Sequence, residues 1–140
     1  MSKVLLEIVG SQRVDSEKDK VEMTTVGTLE ETDSSYIIKY DEQQEPPMSP
    51  IAVSLTVDKN EKSAEVIRSG AVYSCLNIEK SNRRLCKYGT EYGDILMGIS
   101  GHSIDVDIDN GKGSFYLAYD IDINGALASR NDIKLNFKEI

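Results

Sequence analysis

The chain has 140 residues, 39% hydrophobic and 29% charged, with 24 Asp and Glu against 16 Lys and Arg and a formal net charge of −8. This size and composition predict one soluble globular domain, residues 1–140, able to bury roughly two-thirds of its unfolded surface without disulfide or metal staples. The acidic balance disfavours a nucleic-acid backbone or an anionic membrane as the principal partner.

The N-terminal run from Val4 to Val9 is apolar but broken by Glu7, so it does not read as a secretory leader. No stretch approaches the roughly 18 apolar residues of a membrane-spanning helix. A cytoplasmic location is expected. Two cysteines, Cys75 and Cys86, are too few for a disulfide framework or a structural zinc site. Both are expected as free thiols packed like small apolar groups.

From there the chain alternates with period two. "VLLEI" puts Val4, Leu6 and Ile8 on one face, and "VEMTTVGTL" does the same for Val21, Met23, Thr25, Gly27 and Leu29. "YIIKYD" is short and rich in aromatic and β-branched residues. "IAVSLTVD" sets Ile51, Val53, Leu55 and Val57 against polar or small neighbours. "SIDVDID", "SFYLAYDIDI" and "IKLNFKE" repeat the pattern near the C-terminus. One apolar and one polar face, repeated this often, predicts antiparallel sheet.

Turn chemistry separates the runs at 16–19, 32–35, 58–62, 80–83, 100–103 and 109–113. That spacing suits a sandwich or closed barrel. All three prolines fall in "EQQEPPMSP", 42–50, which is expected as a loop or edge crossing. Gly10 and Gly27 interrupt good strands and are expected at bulges or bends, which favour a barrel.

The stretch "YDIDINGALASRND" places Asp120, Asp122, Asn124 and Gly125 at positions 1, 3, 5 and 6 of a calcium loop. Position 12 is Asn131, where a bidentate glutamate is required, and the preceding residues alternate as a strand rather than a helix. The aspartates therefore read as a solvated strand face, and no metal site is expected. A two-residue Asn124-Gly125 turn would pair Ile121 with Ala128 and leave Leu117 and Ile133 on opposite faces. A one-residue shift is needed, as a bulge just after Gly125 or an odd-length loop between Asn124 and Asn131.

No catalytic signature emerges. His102, the only histidine, lies in "SGHS" and is expected as an exposed turn residue. "GISGH" is not a nucleophile elbow, and phosphate-binding glycine loops, HExxH and CxxC are absent. The most unusual segment is 67–99. It gathers Arg68, Lys80, Arg83, Arg84 and Lys87 with Tyr73, Tyr88 and Tyr92 in an otherwise acidic chain. If Ala64 and Val66 point inward, so does Arg68, which then needs an anionic or carbonyl partner. If Ile67 points inward instead, Arg68 is a surface residue.

That segment also carries a resemblance. "IRSGAV", then "YGTEYGDILMGI", then "SIDVDID" and "GKGSFYLAYDIDING" resemble the DUF1934 family, small bacterial proteins of unknown function. The likeness covers essentially the whole chain, from "VLLEIVGSQ" to "IKLNFKEI". Arg68-x-Gly70 and Tyr88-x-Thr90-x-Tyr92-Gly93 are its most specific features. The resemblance implies a lipocalin-like, calycin-type antiparallel β-barrel and no assigned catalytic residues.

The expectation is thus an all-β chain forming one closed or nearly closed barrel of about eight to ten strands. Its expected function is non-enzymatic: binding a small, partly apolar ligand in the barrel or at its mouth. Arg68 would anchor an anionic group, with Tyr73, Tyr88, Thr90 and Tyr92 around it. The alternative is a protein- or RNA-interaction module using Lys80, Arg83, Arg84 and Lys87. No cofactor, membrane partner or oligomeric state is implied.

Overall fold

Alternation of apolar and polar residues resolves into antiparallel strands, each burying one face. The computed structural model describes residues 2–43, 49–70, 73–90 and 92–140, apart from the side chain of Thr90. Among them run β1 (Ser2–Val14), β2 (Glu17–Glu31), β3 (Ser35–Glu42), β4 (Ile51–Asp58) and β5 (Ser63–Ser69). They are followed by β6 (Tyr73–Glu79), β7 (Arg83–Thr90), β8 (Gly93–Asp109), β9 (Lys112–Ile123) and β10 (Ala126–Glu139). Each strand pairs with its neighbour in sequence, and β1 closes onto β10, making a ten-stranded up-and-down barrel. Among the described residues no helix is long and apolar enough to cross a membrane.

The interior is built from the alternating positions. Val4, Leu6, Ile38, Val57, Ile78, Ile99, Ile104, Leu117 and Leu135 are all at most 1% exposed. At the end where the chain termini lie, Phe115 meets Tyr36 edge-on at 5.9 Å and Phe137 at 5.8 Å between ring centroids. This aromatic cluster plugs that end. Cys86 is buried among the core residues and Cys75 is half-buried; both are free thiols.

The "DNGKG" and "DING" stretches make tight turns. Asn110-Gly111 and Asn124-Gly125 take positive φ at both central residues (43° and 81°, 55° and 85°), the signature that matches the twist of flanking strands. After Gly125 the ladder runs Ile123 to Ala126 and Asp122 to Leu127, then skips to Ile121 opposite Ser129. Ala128 is the bulged residue. The shift sets Leu117 opposite Ile133, so both strands turn their apolar faces to the core, as the arithmetic of the sequence required.

Other local expectations are corrected. Residues 100–103 are not a turn but the middle of β8, and His102 is the extra residue of a bulge between the Gly101–Tyr119 and Ser103–Ala118 pairs. The reason lies at Gly101. The β6–β7 turn docks on its backbone: Ser81 N donates to Gly101 O at 3.0 Å, and Gly101 N donates to Asn82 O at 3.2 Å. A Cβ at Gly101 would lie 2.5 Å from the Glu79 carbonyl oxygen, so this glycine admits a neighbouring backbone rather than reversing the chain.

Neither Gly10 nor Gly27 marks a bulge, since the β1–β2 ladder runs unbroken through both. Gly27 allows close packing instead, with a Cβ there 2.8 Å from Leu6 Cδ1 and 3.1 Å from Tyr40 Cβ. Glu42, expected in the proline loop, is the last residue of β3. Residues 44–48, with Pro46 and Pro47, lie outside the described residues.

Candidate ligand site at the polar mouth

The end of the barrel opposite the aromatic plug has different chemistry, set by the inward phase of β3, β5 and β6. Tyr36, Ile38, Tyr40 and Glu42 lie opposite Val57, Leu55, Val53 and Ile51 in turn. Ala64, Val66 and Arg68 lie opposite Val57, Leu55 and Val53. Val57, Leu55 and Val53 are buried, so Tyr40, Glu42 and Arg68 share the interior face. Ser74, opposite Arg68, is buried as well.

Arg68 finds its anionic partner there. Its Nη1 donates to Glu42 Oε1 at 2.7 Å, and its Nη2 donates to Glu42 Oε2, a fork-to-fork pair. The side chains are 38% and 22% exposed, which places the pair at the rim of the interior rather than in its depth. The bond to Glu42 raises the Arg68 pKa, with burial opposing it.

Tyrosines surround the pair. Tyr40 and Tyr88 act electrostatically on the guanidinium, and the guanidinium acts on Tyr40 and Tyr119. Burial, and then the Glu42 carboxylate, pushes the Tyr40 phenol up to about 12, with Arg68 pulling the other way. Burial pushes Tyr119 up to about 12 as well, again against Arg68. Both therefore remain neutral hydroxyls at physiological pH. Tyr88, opposite Ser74, is partly exposed at the same end.

The residues expected around Arg68 divide. Arg68 and Tyr88 come together. Tyr73 pairs with Ser69 on the outward phase and is exposed, and Tyr92 is 93% exposed in the connection between β7 and β8. The Thr90 backbone pairs with Gly93, while its side chain lies outside the described residues. Sequence reasoning missed Glu42, Tyr40, Tyr119 and Ser74. The signal for Tyr40 and Glu42 was present: "YIIKYDE" alternates Tyr36, Ile38, Tyr40 and Glu42, but the prolines that follow drew Glu42 into a loop.

The alternative basic surface is partly neutralised within the chain. Arg83 donates from Nε and Nη2 to the two Asp122 oxygens at 2.8 and 2.7 Å. Gly98 leaves room for this pair to cross β8, since a Cβ there would lie 2.5 Å from both Arg83 Nη2 and Asp122 Oδ2. Arg84 donates to Glu79 at 3.0 Å. Lys80 and Lys87 are exposed. The aspartates of the calcium-like stretch are likewise engaged: Asp122 also accepts from Gly125 N at 3.0 Å, and Asp120 lies 2.8 Å from His102 Nε2. Asp122 thus ties β9 to β7, and Asp120 ties it to the bulge of β8.

These features define a lipocalin-like, closed antiparallel barrel with one plugged apolar end and one polar mouth. The chain belongs to the DUF1934 family, described as a domain of unknown function, whose family model matches residues 6–135. Its fold is similar to the crystal structure of the ywiB protein from Bacillus subtilis, with a TM-score of 0.84 at 19% identity, over 99% of this chain and 92% of that one. No curated protein matches the sequence. At that identity the likeness bears on the fold alone.

Proposed function

We propose that this protein is a non-enzymatic, cytoplasmic binder of a small, partly apolar ligand at the polar mouth of the barrel. The observation that supports this reading is the inward Arg68–Glu42 pair, half-desolvated among Tyr40, Tyr88 and Tyr119. Two charges held partly out of water contribute little net stability, because desolvation offsets their attraction. They suit recognition: an anionic group on the ligand competes with Glu42 for the Arg68 fork, and the neutral tyrosine hydroxyls supply further hydrogen bonds. Apolar side chains fill the barrel axis, so the reading is confined to the mouth.

The test is native mass spectrometry of the protein taken from its own host. A co-purified small molecule is expected on the wild type, retained by Lys138→Gln and lost from Arg68→Gln. Wild-type protein carrying no added mass, or a mass retained by Arg68→Gln, would defeat the proposal. The interaction-module reading is weaker, because Asp122 and Glu79 already occupy Arg83 and Arg84.

A further inference from the structure

A second, independent feature lies on the outside of the barrel. Across β2, β1 and β10 the register sets Lys18 opposite Arg13, and Arg13 opposite Arg130. Neighbouring strands lie about 4.8 Å apart, so three cationic residues fall within roughly 10 Å in one cross-strand row. Like charges placed directly opposite one another destabilise a sheet. Here they persist in a chain with eight more acidic than basic residues, 24 against 16.

Of the five arginines, Arg68, Arg83 and Arg84 each contact a carboxylate, as do Lys20 and Lys59 among the lysines. Among the described residues none of Arg13, Lys18 and Arg130 has an ion pair. The acid that continues their row is Asp120, opposite Arg130 on β9. Its Oδ2 is taken by His102, the residue that the β8 bulge adds to the strand. Asp120 is thus shared between Arg130, its cross-strand neighbour, and His102, and one carboxylate faces the three cations of the row.

All three cations line a single cavity of about 240 Å3, together with His102, Asp120 and Asp132. Asp132 accepts a hydrogen bond from the Tyr116 hydroxyl at 3.3 Å, and the lining sets three cations against two carboxylates.

We infer that this cavity is an anion-binding site for an oxyanion of the diphosphate class. Two arginine forks grip oxygens bidentately and Lys18 adds a point charge. A ligand with charge on two linked centres matches a row about 10 Å long better than a single phosphate does. The bound anion removes the repulsion that the empty row carries.

Inorganic diphosphate, titrated calorimetrically into the protein at low ionic strength, tests this. One site per chain is expected, with affinity falling as salt rises. Arg13→Gln/Arg130→Gln should bind at least tenfold more weakly, since each lost charge-assisted bond weakens binding roughly tenfold or more. Lys138→Gln, an equal charge change per site on β10 outside the cavity, should bind as the wild type does. Without ligand the double variant should melt at a higher temperature than wild type, and diphosphate should raise the melting temperature of wild type only. Absence of binding at millimolar diphosphate would overturn the site. So would equal weakening by Lys138→Gln, and orthophosphate binding as tightly would overturn the diphosphate class. Arg68 lies outside this cavity, so failure here leaves the mouth proposal standing, and the reverse.

Discussion

Arg68 is the residue on which the mouth turns, and its position follows from parity alone. Ala64 and Val66 are buried, so the third residue of that alternation must face the same way. The energetics of its partner can be tested. Breaking a fully buried pair costs several kcal/mol, because one charge is left without compensation. Here both groups reach solvent, so Arg68→Met or Glu42→Leu alone should cost about 1–2 kcal/mol in urea unfolding. The double variant should recover most of that loss, because it strands no charge. Additive losses in the double variant would show that the two side chains act independently.

At the scale of the strand, the β9–β10 hairpin shows how one extra residue rescues a register. The tight Asn124-Gly125 turn and the alternation of β10 are each favourable locally, but they disagree by one residue. Ala128 absorbs the disagreement as a bulge. Deleting Ala128 therefore leaves Ser129 opposite Ile121, and every apolar residue downstream keeps its face. We expect that variant to unfold cooperatively, with a stability change of about 1 kcal/mol or less. Deleting Lys134 instead, inside the unbroken ladder, turns Leu135 and Phe137 outward and should abolish cooperative unfolding. Equal tolerance of the two deletions would refute the register argument.

For the molecule as a whole, the contrast between a plugged end and a polar mouth predicts an alkaline limit. Tyr40 and Tyr119 both ionise near 12 in the fold, above the ordinary value of 10.0. A phenol whose folded pKa is raised binds its proton more tightly in the native state. Its stabilisation is complete below pH 10 and is lost as pH rises through 12. Each tyrosine contributes on the order of 2 kcal/mol. The free energy of unfolding should fall between pH 10 and 12 more steeply in wild type than in Tyr40→Phe/Tyr119→Phe. Equal slopes would place the tyrosines in a wetter environment than the fold implies.

Much of the barrel was legible because a strand writes its environment at every second position, and the turn chemistry marked most of its corners. The mouth was less legible. Glu42 follows the alternation of β3 but borders the prolines, Tyr40 lies in a run too short to assign a face, and Tyr119 reads as ordinary core alternation. Their meeting with Arg68 depends on strands far apart in sequence: 26 residues separate Arg68 from Glu42. His102 was misread for a related reason. "SGHS" has turn composition, but its glycine makes room for the β6–β7 turn, and only the packed neighbour reveals that use.

By itself, then, the sequence determined the class of fold, the inward face of the most regularly alternating strands and the one-residue correction in the last hairpin, because these follow from local periodicity and turn stereochemistry. The tertiary structure alone decided which charges meet. Closure of β1 onto β10 brought Arg13 to Arg130, and the β8 bulge gave Asp120 to His102. Barrel curvature joined Arg68 to Glu42. Cross-strand register is set by the whole closed sheet, and no stretch of chain contains that information alone.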